Sequence, residues 1–452
     1  MCSIVMLVNI ILTFRGGNFM KFTAAGDVLI QQRMTFTPKD FDAIRSYIEK
    51  GDARFFNLET TLNYEGECFA SQFSGGTYVR TDPECLGDIL EYGFNMLTGN
   101  NNHAMDFSYG GLEKTIENIN SYDIPHSGLG HNLGQAAAPC YLDTENGRVA
   151  LISFCSTFNP TAMAGEQARR VVGRPGVNGL RFSEKLIVPE EEFDAIVRVG
   201  DGTHINANAD ILRKEGYAAP LEEGIYELGS MRIEKGDHFE RVLTANKEDM
   251  KRAAKAIYEA KLQADYVMIS VHSHEISGTT KEEPAQFLEE FSRFCIDNGA
   301  DAIIGHGPHL LRPIEIYKGC PIFYSLGDFV LQLYSVNFAP EEFYAKFGMT
   351  SDETVHALLK KRSANFTRGL MEDDKMLETV IPYWETDENN KITKLELLPV
   401  TIMKGGNKAQ RGLPALSTDL SFIDRLAKMS EPYGTKIYMK DGVAVCEWTR
   451  ES

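Results

Sequence analysis

The sequence of 452 residues lacks several features that define specialised classes of protein. It has no C-x-x-C pair, and its eight cysteines have no regular spacing, which argues against a zinc ribbon or a disulfide framework. No internal repeat or low-complexity tract is present. The nucleotide-binding patterns G-x-G-x-x-G and G-x-x-x-x-G-K-[ST] are missing, as is the G-x-S-x-G nucleophile turn. The cysteines are therefore predicted to be reduced and to pack in a core.

Basic residues are also too few for a nucleic-acid-binding protein. The chain has 46 Lys and Arg against 64 Asp and Glu, giving a formal net charge of −18. A field of that sign repels nucleic acid and anionic lipid over most of the surface. An anionic substrate, either a small molecule or a polymer, would therefore need a local positive centre such as a bound metal ion.

A long hydrophobic run is missing as well. Residues 4–14 (IVMLVNIILTF) are apolar, but they include Asn9 and are too few to span a bilayer. No Lys or Arg precedes them and no A-x-A-like cleavage site follows, so they make a poor signal peptide. Met20 then opens MKFTAAGDVLI, which is typical of a first strand. We predict a cytoplasmic protein in which residues 1–19 are an upstream extension or a mis-assigned start. The alternative is a short anchor that makes the protein membrane-associated.

Short β-branched runs alternate with segments of helical period, which indicates an α/β fold built from βαβ units. The hydrophobic share of 43% and the charged share of 24% are those of a globular protein. The predicted strands are Lys21–Gly26, Ala53–Leu58, Phe94–Gly99, Arg148–Cys155, Asp265–Val271, Asp301–Gly305 and Pro321–Leu326. The predicted helices are Lys39–Lys50, Tyr109–Tyr122, Lys247–Leu262 and Pro284–Asn298.

Two segments interrupt this alternation within a main domain predicted over residues 20–402. Residues 156–246 are charged and irregular, and residues 331–376 have a helical pattern, so both are predicted to be insertions. Two further strands follow at Leu377–Tyr383 and Ile392–Ile402. Residues 403–452 are predicted to form a helix capped at Ser417 and a hairpin that turns at Asp441-Gly442, both packed on the core.

Polar side chains follow the predicted strands where each strand ends. Asp27 follows the first strand, Glu59 the second and residues 100–103 (NNNH) the third. Two histidine pairs, 272 with 274 and 306 with 309, follow later strands. Because the carboxyl ends of parallel strands meet at one edge of a sheet, these groups are expected to assemble there. A shell of carboxylate, amide and imidazole ligands suits one or two divalent ions of Mn, Fe, Zn or Mg.

Six motifs give the chain a resemblance to a known family. They are GDVLI at 26–30, NLETTL at 57–62, NNHAMDFSYGGLEKT at 101–115, SVHSHE at 270–275, GADAIIGHGPH at 299–309 and PIFYSLGDFV at 321–330. The chain resembles the CapA family, which is associated with poly-γ-glutamate capsule synthesis. The fold of that family is similar to the calcineurin-like metallophosphoesterases. The resemblance implies a layered β-sandwich flanked by helices, in the order αββα, with inserted segments.

The resemblance also implies a role for each matching residue. The implied metal ligands are Asp27, Glu59, Asn102, His272, His306 and His309. The implied catalytic residues are His103 as acid or charge stabiliser, Asp106 as the carboxylate that orients it, and His274. His274 and Glu275 are alternatives within one motif, and spacing does not decide between His272 and His274 as the ligand.

Two departures limit what the resemblance implies, and one separate signal lies outside the motifs. Leu29 stands where the phosphoesterases have a metal-binding histidine, which puts a second metal ion in doubt. Asp328 stands where the CapA family usually has Asn, and adds a negative charge near the mouth of the site. Outside the motifs, residues 169–182 place four arginines around a Gly/Pro turn, either as a patch for phosphate or carboxylate or as a solvated loop.

The sequence therefore supports two functions and a bland alternative. The first is a metal-dependent hydrolase with phosphoesterase-type chemistry, in which the metal lowers the pKa of bound water. The second is a non-catalytic accessory protein that binds or exports poly-γ-glutamate. The bland alternative is a fold that has lost its metal, which leaves the polar groups at successive strand ends unexplained.

Overall fold

The computed structural model describes residues 19–405 and 408–449. All of the predicted N-terminal extension except Phe19 lies outside these residues. Within them, two large sheets lie face to face, one with ten strands and one with six. No helix in this part of the chain is long and apolar enough to cross a membrane.

The ten-stranded sheet has the strand Lys21–Leu29 at its centre, with parallel strands on one side and antiparallel ones on the other. The spatial order is Thr435–Lys440, Val443–Trp448, Ile392–Ile402, Glu378–Thr386, Lys21–Leu29, Ala53–Leu58, Met96–Thr98 and His126–Ser127. Asp328–Leu331 pairs in parallel with the end of Lys21–Leu29, and Pro414–Leu416 pairs with Ile392–Ile402.

The six-stranded sheet has four parallel strands between two antiparallel edge strands. Its order is Ile314–Tyr317, Cys320–Phe323, Ala302–His306, Tyr266–His272, Gly147–Cys155 and Cys140–Thr144. The central strands read as continuous apolar runs because both of their faces are buried.

Aromatic side chains fill the core between the two sheets. Phe22 stacks on Tyr266 of the opposite sheet, with 4.1 Å between ring centroids, and on Trp384 at 5.1 Å. The indole nitrogen of Trp384 donates a hydrogen bond to the Tyr266 hydroxyl at 3.1 Å. The polar tips of these buried rings thus satisfy each other across the sandwich.

Helices cover the outer face of each sheet. Phe41–Ile48, Glu84–Leu90 and Ser108–Ser121 pack on the ten-stranded sheet. Lys247–Lys261 and Gln286–Asp297 pack on the six-stranded sheet. The order helix, sheet, sheet, helix confirms the predicted layered α/β fold.

Several predicted element bounds are wrong. The predicted strand 94–99 is only Met96–Thr98, and the strand Asp328–Leu331 was not predicted at all. The C-terminal helix runs from Ser421 to Ser430 and is not capped by Ser417. Instead, the Asp419 carboxylate accepts from the backbone N–H of Ser421. The hairpin is confirmed, with its turn at Asp441-Gly442 between strands Thr435–Lys440 and Val443–Trp448.

The segment predicted to be irregular contains a regular sheet of four strands. Its spatial order is Ile225–Leu228, Met231–Gly236, Phe182–Pro189 and Glu240–Ala245, and it is accompanied by the helices Glu190–Thr203 and Ala207–Lys214. Most of these strand residues are only half-buried, so charged side chains are tolerated on them. That charge hid the strand pattern in the sequence. The smaller elements are the helix Leu133–Ala136, strands Leu129–Gly130 and Gly176–Val177, which pair, and strands Thr61–Leu62 and Arg80–Thr81, which pair.

Residues 331–376 are helical, as predicted, but only in short pieces. They contain the α-helices Glu341–Ala345 and Val355–Arg362 and the single 3-10 turns Leu333–Ser335, Leu370–Glu372 and Asp374–Leu377. Their apolar residues form two small clusters, one of which contains Phe343, Tyr344 and Leu358. The same clusters include Leu29 and Ile402 of the ten-stranded sheet, so this segment packs against the main domain.

Arg181 is about half exposed, but its guanidinium is engaged in an ion-pair network around a buried carboxylate. Its guanidinium donates to both Asp249 oxygens at 2.9 and 2.7 Å, and Arg252 donates to the same carboxylate at 2.7 Å. The Asp249 side chain is fully buried. We expect Asp249→Asn to lower the free energy of unfolding by about 2–4 kcal/mol, because it leaves two cations without a buried counter-charge.

Urea denaturation of both proteins measures this loss. The matched control is Glu248→Gln on the same helix, because Glu248 is exposed and its ion pair with Lys251 is a surface pair. That control should change the free energy of unfolding by less than about 0.5 kcal/mol. Equal stabilities for Asp249→Asn and the wild type would contradict the assignment.

Candidate metal centre

A close approach of two backbone segments positions Asp27 at the end of its strand. A Cβ atom at Gly26 would lie 1.8 Å from the carbonyl oxygen of Gly327, so only glycine fits there. The Asp27 carboxylate is buried and accepts from the Asn57 amide at 2.6 Å and from the Gly307 backbone N–H at 2.8 Å. It is thus held at the junction of the two sheets.

The GHGPH loop turns sharply so that its second histidine comes back toward the sheets. Gly307 has a φ of 118°, and His309 has a φ of 61°, which is uncommon for a residue with a side chain. The His309 Nδ1 atom lies 2.9 Å from an Asp328 oxygen. This contact fixes the ring and directs Nε2 toward Glu59, 4.0 Å away.

Glu59 is the least satisfied side chain in the site. It is fully buried, and neither carboxylate oxygen has a hydrogen-bond partner among the described residues. Its Oε1 atom faces Nε2 atoms of His272 at 3.7 Å and His103 at 3.9 Å. A buried carboxylate without partners costs several kcal/mol, and a bound cation at this point would remove that cost.

Three histidines of the six-stranded sheet lie in contact with one another. The Nδ1 atoms of His272 and His306 are 2.9 Å apart, and the Nε2 atoms of His272 and His274 are 3.1 Å apart. His306 Nδ1 is also 3.4 Å from Asp27. Ring nitrogens crowded in this way around a carboxylate form a typical arrangement of metal ligands.

The candidate ligand atoms form two groups, and a third group shares residues with both of them. Within each group, the atoms lie within 4.8 Å of one another. The groups are Asp27 with His272 and His306, Glu59 with His274 and His309, and a bridging set of Asp27, Glu59, His309 and Asp328. The donor set fits a hard or borderline divalent cation, and its division into two groups offers room for two ions.

The pKa shifts follow from burial of these charges beside one another. Burial, with Asp27 and Asp328 nearby, raises the pKa of Glu59 well above its ordinary value. Burial also raises the pKa of Asp328 to about 6, despite the favourable contact with His309. Burial and the neighbouring histidines hold the pKa of His272 well below its ordinary value. The site therefore favours a neutral imidazole here, the form that binds metals.

His103 is oriented by the carboxylate that the sequence suggested. Its Nδ1 atom lies 2.6 Å from Asp106, which is buried and also accepts from the backbone N–H groups of Gly75 and Val79. This fixed carboxylate leaves Nε2 of His103 pointing toward Glu59. The Gly75 backbone covers the ring so closely that a Cβ there would lie 2.8 Å from His103 Cε1.

Asn102 is held by the same loop. Its amide nitrogen donates to the Gly75 carbonyl at 3.1 Å. Its amide oxygen is buried and accepts no hydrogen bond from the described residues. An amide oxygen without a partner is available as a ligand, which is the role that the resemblance implies for it.

A cavity of about 570 Å³ opens beside the metal-ligand groups. His103 and His309 line its inner end, together with Leu29. The opposite wall comes from residues 333–376 and includes Arg362 and Arg368. A substrate in this cavity would therefore reach His103 and His309 from the side of the inserted segment.

The structure brings together most of the predicted site residues and adds others. His272 and His274, which spacing did not distinguish, both lie in the cluster but in different ligand groups. Asp328 is buried inside the cluster and does not lie at its mouth. Sequence reasoning missed Asn57 as the group that holds Asp27, although it stands in the NLETTL motif.

The sequence of the chain matches the family described as bacterial capsule synthesis protein PGA_cap over residues 21–333. The match includes every strand end that carries a candidate ligand. The chain belongs to the PGA_cap family. The segment 334–376, which forms most of the outer cavity wall, lies beyond the matched residues.

Comparison with individual proteins extends the similarity, in one case to nearly the whole chain. The Sinorhizobium fredii protein y4sH is 30% identical over 439 residues, covering 93% of this chain and 92% of that protein. The Bacillus subtilis PGA biosynthesis protein CapA is 24% identical over 65% of this chain and 57% of its own length. A Mycobacterium tuberculosis protein, described as a probable polyglutamine synthesis accessory protein, is 25% identical over 62% of this chain and 55% of its own length.

Proposed function

We propose that this PGA_cap protein is a metal-dependent hydrolase that acts on an anionic substrate, with chemistry of the phosphoesterase type. The single observation that carries the proposal is the buried Glu59 carboxylate, which has no hydrogen-bond partner within residues 19–405 and 408–449 and faces histidine nitrogens at 3.7–4.0 Å. A divalent cation would turn this unfavourable arrangement into a favourable one.

The residues fit such an ion by number and by chemistry. Carboxylates, imidazoles and one unpartnered amide oxygen make a mixed O/N ligand set without thiolate. Ions bound there would supply Lewis acidity, activating water and polarising the oxygen of the bond to be cleaved. Asp27, Glu59, His272, His306 and His309 would hold them.

The remaining groups support a hydrolytic role for His103. The Asp106 carboxylate binds Nδ1 and so keeps the proton there, which leaves Nε2 free to exchange a proton with a substrate. Protonated His103 would donate from Nε2 to the leaving group, or stabilise negative charge as it develops.

The names of the relatives favour a link to capsule and PGA biosynthesis. The Bacillus anthracis protein described as capsule biosynthesis protein CapA is 23% identical over 69% of this chain and 59% of its own length. We extend that link to this protein as part of the proposal. The competing role, accessory binding of the polymer without turnover, rests on the description of the Mycobacterium tuberculosis relative.

The test combines metal content with turnover. Protein purified without chelator is expected to contain divalent metal by elemental mass spectrometry and to hydrolyse a phosphoester or a γ-glutamyl oligomer. Chelation should abolish turnover, and re-addition of Mn, Fe, Zn or Mg should restore it. Turnover that survives complete removal of metal would contradict the proposal. Saturable polymer binding without turnover under every metal would favour the accessory role.

A further inference from the structure

The cavity beside the metal centre carries positive charge in a protein whose formal net charge is −18. Four cationic side chains line it against two carboxylates: Lys281, Arg362, Arg368 and Lys375 against Glu282 and Asp373. Glu282 is already neutralised by Lys375 at 2.7 Å and by Arg425 at 3.1 Å. Three cations, Lys281, Arg362 and Arg368, therefore remain against the single carboxylate of Asp373, so the cavity lining keeps a net positive charge.

Arg362 is fixed on the wall near the catalytic side of the cavity. Its guanidinium lies 5.6 Å from the centroid of the Phe343 ring and donates to the Thr77 hydroxyl. A Cβ at Gly76 would lie 3.9 Å from its Nη2 atom, and a Cβ at the preceding Gly75 would lie 2.8 Å from Cε1 of His103. Arg362 and His103 are thus separated by two glycines of one loop.

Lys281 is anchored from the other side. The fully buried Arg312 donates to the carbonyl oxygen of Lys281 at 2.9 Å, and to the carbonyls of Ser273 at 3.2 Å and Glu275 at 2.9 Å. The backbone of Lys281 is therefore tied to the loop that carries His274. Neither Lys281 nor Arg368 forms an ion pair within the part of the chain that the structure describes.

We propose that Lys281, Arg362 and Arg368 form a subsite that binds a negatively charged group of the substrate outside the bond that reacts. The inference rests on the proposed function and narrows its substrate class to linear oligoanions. Lys281 comes from one segment of the wall and the two arginines from another, and a volume of about 570 Å³ exceeds the needs of a single phosphate or carboxylate group. Guanidinium groups bind both kinds of anion with charge-assisted hydrogen bonds.

Equilibrium binding by calorimetry tests this subsite with two probes, a short γ-linked glutamate oligomer and tripolyphosphate. The full chain is used both as purified and after chelation, so that turnover does not consume the probe in the second case. The double variant Arg362→Gln, Arg368→Gln is expected to weaken binding at least about tenfold, with a flatter dependence on salt. The probe that binds more tightly identifies carboxylate or phosphate as the preferred anion.

The matched control is Lys360→Gln, which removes a cation from the same helix but outside the cavity lining. It should keep wild-type affinity. If loss of the Arg362–Thr77 contact disturbs folding of the double variant, the single variant Arg368→Gln still tests the subsite, because it keeps that contact. Wild-type affinity in both arginine variants, or no saturable binding of either probe by the wild type, would overturn the subsite. Arginine-dependent binding in a protein without turnover would instead retain the subsite and remove the hydrolase.

Discussion

Asp27→Ala is expected to reduce kcat/KM by at least about a thousandfold, since metal activation is worth several kcal/mol of transition-state stabilisation. The Asp27 carboxylate belongs to both the His272–His306 group and the bridging group, so its removal weakens both candidate ion positions. His306→Ala should have an effect of the same order, because its ring lies 3.4 Å from Asp27. Steady-state kinetics and elemental analysis on the same samples measure both consequences.

The fold should survive these changes, because the core between the sheets is formed by other residues. Circular dichroism checks this, and Asp27→Asn provides a variant of equal volume. His238→Gln is the matched control, since His238 is exposed and contacts only Asp237 and Glu240. Wild-type rates in Asp27→Ala or His306→Ala would refute the metal centre as the catalytic site.

The metal-to-protein ratio carries additional information. Leu29 removes one ligand relative to the phosphoesterases, and on that ground the sequence put a second ion in doubt. The structure offers His274, with Glu59 and His309, as a second ligand group. A ratio near two would agree with an ion bound to each group. A ratio near one would agree with the loss of one ion position, because Leu29 stands in place of a histidine ligand.

Glu59→Gln is expected to stabilise the metal-free protein while abolishing the stabilisation that metal provides. Burial raises the pKa of Glu59 well above its ordinary value of 4.5, so the folded state binds a proton more strongly than the unfolded state does. The stability that this proton contributes is fully present below pH 4.5. It is lost as the pH rises toward the folded-state pKa.

The difference between the variant and the wild type should therefore grow with pH, by up to about 1.4 kcal/mol per pH unit in that window. Urea denaturation of chelated proteins across mildly acidic to mildly alkaline pH measures it. His272 and His274, whose pKa values are lowered by burial, have the opposite dependence but are present in both proteins. Glu248→Gln is the control for loss of an exposed carboxylate.

Bound metal should make the wild type more stable than Glu59→Gln, which is the reverse of their order without metal. At a metal concentration one hundred times the dissociation constant, the wild type gains about 2.7 kcal/mol, and the variant gains much less. A chelated Glu59→Gln protein that is less stable than the chelated wild type at alkaline pH would show that Glu59 has a partner other than a cation. That result would remove the central support for the proposed function.

The inserted segments illustrate where pattern reasoning stops. The segment 156–246 was predicted to be irregular because charged residues interrupt its apolar pattern, yet residues 182–245 form a four-stranded sheet. Half-exposed strands tolerate charge on both faces, so alternation of period two is lost. The four arginines in this segment also drew attention as an anion patch. Arg181 instead binds Asp249, and Arg174 donates to the Met163 carbonyl.

The sequence by itself determined the strand ends that carry polar groups, because a buried parallel strand followed by a polar loop has a recognisable pattern in one short window. Its motifs determined the family resemblance, and that resemblance implied the αββα layering. The motif spacing also led to Asp27, Glu59, His103 and the later histidines as candidate ligands or catalytic groups. Asp106 follows His103 by one turn, and from that position it was predicted to orient the His103 ring.

Only the tertiary structure decided how these groups divide and what faces them. The placement of His272 and His274 in different ligand groups depends on contacts between the two sheets, which no spacing encodes. The burial of Asp328 depends on a strand that pairs with a segment some three hundred residues away. Lys281, Arg362 and Arg368 meet around one cavity because separate segments fold over it. A charge on an exposed helix and a charge in a binding cavity have the same sequence pattern, and only packing separates them.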